Sequence, residues 1–227
     1  MLGVPATPAG ATGVTAVYRD DDIDALTEPS FEDAELFLLC LLADDLEQGR
    51  SLAPTLLAFS GERPLGSVRL RPHQRDELST VMLEILALLL PLGADRIVLA
   101  LPGRAWSLGD PIPPVTDEAD LRQRVVVVVT ADAHRGPCRL GMRLHPFDVD
   151  ERGRCCWLPR IEPEGPTDAP IVEVLRVLLD HRDDVARTAE PRTRVAAQFG
   201  RVLLLGHELS LAPRAAEALL TATAAAR

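Results

Sequence analysis

The densest apolar run of the chain, Val81 to Leu90, carries a single charge, Glu84. A helix with so little polar surface must be covered on nearly all sides, so the pattern predicts a buried central helix. Pro91 and Gly93 end it, because proline removes an intrahelical hydrogen bond and glycine suits an exit turn. Ile97 to Leu101 then reads as a short strand buried on both faces. Five consecutive valines, Val125 to Val129, predict a second central strand beside it.

Weaker patterns surround this pair. Ser30, followed by Glu32, Asp33 and Glu35, predicts a helix start, and Ala34, Leu38, Leu41, Leu42 and Leu46 carry helical spacing towards Gly49. Thr55 to Phe59 and Ser67 to Arg71 flank the turn-rich Ser60 to Pro64 and predict an antiparallel hairpin. Arg139 to Phe147 alternates, and Asp150 to Gly153 turns the chain into Cys155 to Leu158. Pairing Val149 with Arg154 would put Cys155 and Trp157 on the Leu144 face, opposite Phe147. Ile171, Val172, Leu175, Leu178 and Leu179 form a helical stripe that ends near His181. Arg182 to Arg192 reads as a linker, followed by a stripe of Val195, Phe199, Val202 and Leu203 and by an alanine-rich helix opened by Pro213.

These elements predict an α/β (α+β) fold: a mixed, largely antiparallel sheet of about five to six strands, a buried central helix, flanking helices and a C-terminal helical hairpin. The predicted division is a disordered acidic N-terminal arm over 1–29, one α/β domain over 30–188 and a helical appendage over 189–227. In element order alone, Ser30 to His181 resembles the profilin-like and roadblock-like α/β modules. That resemblance implies a module that binds partners or ligands and pairs through a sheet edge or a helix.

With 227 residues, 47% of them hydrophobic, the chain has ample material for a core. It contains no lysine and no asparagine, the mark of a GC-rich genome, so all 24 basic residues are arginine. Schiff-base chemistry, covalent pyridoxal phosphate and a Walker-type phosphate lysine are thereby excluded. A formal net charge of -10 argues against nucleic acid as the main partner. The four cysteines follow no secretory leader, and the longest apolar stretches fall short of the ~20 residues a bilayer crossing needs. The expectation is a cytoplasmic protein with no membrane partner.

No catalytic signature is present. His134, Cys138, His145, Cys155 and Cys156 lack zinc spacing, and the predicted register sets His145 opposite Cys138 and Cys155, so no metal and no cofactor is expected. His181-Arg182-Asp183 lacks the rest of a kinase set, and His207-Glu208 reads as a surface pair. Two surfaces remain. In the hairpin, Arg69 and Arg71 alternate with Val68 and Leu70, and with His73 and Arg75 they make a basic patch suited to a phosphate or carboxylate. The connector from Pro102 to Arg122, stiffened by prolines and holding Arg104, Trp106 and Asp110, is long enough to be a binding loop.

The leading expectation is therefore a non-catalytic binding or scaffold module, homodimeric, with a protein partner and room for an anionic small molecule. The alternative is a metal-independent hydrolase or transferase acting on such an anion, with Arg69, Arg71 and Arg104 as the clamp and Asp110 or His73 as general base.

Overall fold

A computed structural model describes residues 29–105, 122–163, 170–187 and 191–224. In chain order the elements are α1 (Ala34–Glu47), β1 (Thr55–Ser60), β2 (Arg63–Arg69), α2 (Leu78–Leu89), β3 (Arg96–Ala105), β4 (Gln123–Asp132), β5 (Arg139–Val149) and β6 (Cys155–Trp157). There follow α3 (Pro170–Asp180), α4 (Arg182–Arg187), α5 (Pro191–Leu204), β7 (Glu208–Leu211) and α6 (Pro213–Ala224). The strands form one seven-stranded sheet in the order β6-β5-β4-β3-β1-β2-β7. Every pairing is antiparallel. Because β3 pairs with β1 and not with β2, the chain crosses β1 by way of α2.

Strand alternation sorts the core into two layers. Leu57, Phe59, Val98, Ala100, Val126, Val128 and Phe147 face α1, where Ala34, Leu38 and Leu42 cover them. Leu56, Val68, Ile97, Leu99 and Val129 face the other way, towards α2, α3, α5 and α6. Seven residues of the Val81 to Leu90 run are buried, and the central helix is as the apolar density requires. Its wet strip is narrow: Leu83, 48% exposed, and Ala87. Fully apolar strands at the sheet centre are the sequence signature of burial on both faces, and four of the five valines have it.

The C-terminal third departs from expectation. The run taken as a linker contains α4, and α5 begins at Pro191. A strand stands between the last two helices, so they are not a simple hairpin. β7 pairs with β2 from Gly66↔Leu211 to Arg69↔Glu208, making seven strands where about five to six were expected. Val195, Val202, Ala215 and Leu219 belong to the same apolar cluster as α2. Gly66 makes the docking possible: with φ +153, a Cβ there would lie 2.3 Å from the Ser210 carbonyl oxygen.

Two register details also differ. Val149 pairs with Cys155, not Arg154, and Phe147 with Trp157. A one-residue slip exchanges faces, so Cys155 and Trp157 pack with Phe147 on the α1 side. His145 is on that side too, its ring edge-on to Trp157 with centroids 6.4 Å apart. The helical start expected at Ser30 lies at Ala34, because Ser30 Oγ instead closes a turn by accepting from the Asp33 N–H at 3.2 Å.

Candidate binding site

Leu101, Val127 and Leu144 are direct cross-strand partners on β3, β4 and β5, and they point to the α2 side of the sheet. Val127 sits in the middle of a central strand yet is half-buried, as is Leu101. The space above them is a cavity of about 820 Å³. Met142 continues its floor, and Ile171 and Val172, at the start of α3, border it. A smaller cavity of about 300 Å³ lies against Leu46, Leu52 and Phe147 on the α1 side. Pro102, Gly103, Arg104 and Val125 line both, so only the ends of β3 and β4 divide them.

Polar residues gather at this end of the sheet. Arg69, His73, Arg104, Arg122 and Glu208 all line the larger cavity. Arg104 Nη1 donates to the Arg122 carbonyl at 3.2 Å, tying the two strand ends together. Arg69 Nη2 lies 2.5 Å from Asp45 Oδ2, and its Nε lies 3.7 Å from Glu208. The His73 Nδ1 is 2.8 Å from the Arg71 carbonyl. A carbonyl only accepts, so Nδ1 is the donor in this contact.

The basic patch read from the hairpin is divided by the fold. Arg69 faces α1, where Asp45 meets it. β2 ends at Arg69, and the chain then turns, so Arg71 reaches α2 on the other side. Its Nε and Nη2 donate to the two oxygens of Glu84 at 3.2 and 3.3 Å, a bidentate pair, and Glu77 stands 3.6 Å away. Of the sequence candidates, the cavity thus collects Arg69, His73 and Arg104 and not Arg71. Trp106 and Asp110 lie outside the described residues, as does the side chain of Arg75. The strands themselves take up Pro102 to Ala105, shortening the expected connector.

Two important residues escaped sequence reasoning. His207, expected on the surface, has a fully buried side chain. The Arg71 N–H donates to its Nδ1 at 3.1 Å, and its Nε2 donates to Glu84 Oε2 at 3.1 Å. Burial holds His207 below the ordinary histidine value in spite of Glu84. Burial pushes Glu84 up, but Arg71 and His207 outweigh it and hold the carboxyl below its usual range. Asp45, in α1, is also fully buried and accepts from Arg50 Nε at 2.8 Å as well as from Arg69. Its signal was present: it continues the Leu38, Leu42 stripe where an apolar residue belongs.

At the opposite end of the sheet, Asp95 accepts from the Gly61 N–H at 2.8 Å and lies 2.7 Å from His134 Nδ1, while Arg96 bridges Asp132 and Glu62. This cluster closes the β1–β2 turn onto β3 and β4. Among the described residues no group of three His, Cys, Asp or Glu side chains is placed to hold a metal ion. Among the same residues no helix is long and apolar enough to cross a membrane. Set against protein-family models, curated proteins and solved structures, the chain matches none of them.

Proposed function

We propose that this chain is a non-catalytic binding module whose ligand occupies the cavity over Leu101, Val127 and Leu144. The observation that carries the reading is the half-buried Val127. A valine inside a seven-stranded sheet is ordinarily sealed, and here it is half-buried and borders the cavity. The cavity volume of about 820 Å³ falls within the roughly 300–1,000 Å³ range of small-molecule sites, which are apolar with a few convergent polar groups. The residues around it supply that mixture.

A neutral naphthylamine dye, whose emission rises in apolar surroundings, tests the reading. The dye is expected to bind the wild type and to lose affinity in Met142→Trp and Leu101→Phe, which add bulk to the cavity floor. Near-ultraviolet circular dichroism checks that both variants fold. Unchanged dye binding in the folded variants removes the cavity from the account. Self-association through the C-terminal helices, where Leu204 and Leu220 are 90% and 69% exposed, belongs to the same proposal. A monomer mass at high micromolar concentration would exclude it.

A further inference from the structure

We infer that His207 is a proton-operated latch on one wall of the cavity: the neutral ring holds the segment after β2 in place, and a proton taken up at Nδ1 releases that segment and weakens the hold on a cavity ligand. The ligand half of this inference rests on the binding reading above, and the release does not.

The bonds of the ring carry it. The Arg71 N–H donates to Nδ1 at 3.1 Å, and Nε2 donates to Glu84 Oε2 at 3.1 Å. Each nitrogen is committed, so a second proton can enter only at Nδ1, where it would face the Arg71 N–H donor to donor. Turning the ring over does not help, because both nitrogens of an imidazolium donate. Protonation and the Arg71 contact are therefore mutually exclusive. Glu84 gains from the added charge and keeps the ring on α2, so the partner that lets go is the Arg71 backbone. The Arg71 Nε donates to the same Glu84 oxygen, and an imidazolium there competes with it.

The fold places this contact at the cavity. The β2–β7 ladder ends at Arg69↔Glu208, and the Arg71–His207 bond continues it through a side chain. Leu70, Pro72 and His73 on one side of that bond, and Gly206 and Glu208 on the other, all line the cavity. Leu70 is held separately, its N–H donating to the Pro54 carbonyl at 2.8 Å, so the part released begins at Arg71. Among the described residues the charged and titratable groups acting on the ring are Glu84 from α2, and Arg71 and His73 from the segment after β2. Glu77 stands beside Arg71, Glu208 is turned to Arg69, and Gln198 of α5, which donates to the Glu84 carbonyl at 2.8 Å, brings no charge. Burial outweighs Glu84 and, with Arg71 and His73, holds the ring below the ordinary 6.5, so the latch is closed at neutral pH and opens on the acid side.

Amide exchange and ring nitrogen-15 shifts of the wild type from pH 8 to 5 test the release. As His207 takes its proton, protection of the Arg71 amide, corrected for the intrinsic rate, is expected to fall by up to about tenfold per pH unit, while the amides of Val126 to Val129 keep theirs. A ring still unprotonated at pH 5, or an Arg71 amide that stays protected while the ring titrates, overturns the latch. Simultaneous loss at Val126 to Val129 overturns it too, since the proton would then be unfolding the whole sheet. The neutral dye tests the ligand half. Its affinity is expected to fall over the same pH range in the wild type and in His73→Gln and to stay level in His207→Gln, with near-ultraviolet circular dichroism checking each fold. If affinity stays level in the wild type while Arg71 is released, or if His73→Gln removes the dependence, the ligand half is wrong. If the dye binds without regard to Met142→Trp, the cavity reading fails and the ligand half with it, and the exchange of Arg71 still decides the latch.

Discussion

His207 Nε2 lies 3.1 Å from Glu84 Oε2, linking the residue that leads into β7 to the middle of α2. Its other nitrogen accepts from the Arg71 N–H, so only the neutral tautomer with the proton on Nε2 fits. Burial holds the folded-state pKa below the ordinary 6.5. The unfolded chain therefore takes up this proton first as pH falls, and the stability His207 contributes above pH 6.5 is lost below it. One proton is worth up to about 1.4 kcal/mol per pH unit over that window. Thermal midpoints from pH 8 to 5 should fall more steeply for the wild type than for His207→Gln, which starts lower and stays flatter. Parallel curves would contradict the buried neutral ring.

Gly66 and Gly136 share nearly the same backbone angle, with φ +153 and +151, but only Gly66 lies against another strand. An alanine at either position carries the backbone penalty, and at 66 its methyl also meets the Ser210 carbonyl. Gly66→Ala should therefore cost about 1–3 kcal/mol more than Gly136→Ala in chemical denaturation. Amide exchange should quicken at residues 208–211 in the first variant alone.

Removing the buried carboxylate charge with Asp45→Asn takes the carboxylate from Arg50 and leaves Arg69 with Glu208, 3.7 Å away. Breaking a fully buried pair costs about 3–5 kcal/mol, but Arg50 and Arg69 are 49% and 29% exposed and can turn to water. A loss of about 2 kcal/mol is expected from urea denaturation. Arg50→Gln, which removes the more exposed partner, should cost less than half as much.

The four thiols should react at unequal rates. Burial pushes Cys155 up to about 12 and Cys138 up to about 11, with Cys156 and Asp180 respectively adding to the effect, and burial also raises Cys40. Cys156 is exposed on the other face of β6. At pH 8 a thiol reagent should label Cys156 in a fast phase and the remaining three slowly, since thiolate and access govern the rate. Peptide mapping of the first adduct checks the assignment, and Cys155 as the fast site would contradict the observed register.

The sheet centre was legible because apolar density leaves few choices: Val81 to Leu90 and the five valines admit little but burial. The slip in β6 came from the turn. Asp150 pairs with Arg154, and Gly153 takes φ +81, a three-residue loop with glycine in the left-handed position. Counting Asp150 to Gly153 as the whole turn shifts every following side chain by one. β7 was illegible because Glu208 to Leu211 is too short to declare a period between two helices. For the site, side-chain type was legible and direction was not. Arg69 and Arg71 share a strand parity that ends at Arg69, and only the fold shows the chain turning there.

The pairing of β7 with β2 also has a consequence for synthesis. β2 is complete once residue 69 has been made, but the strand that covers its outer edge comes about 140 residues later, which at roughly 5–20 residues per second leaves several seconds or more. Throughout that interval a nascent chain presents open backbone donors and acceptors to its neighbours on the polysome. A ribosome pausing before β7 has been made should therefore produce clumping that a later pause does not.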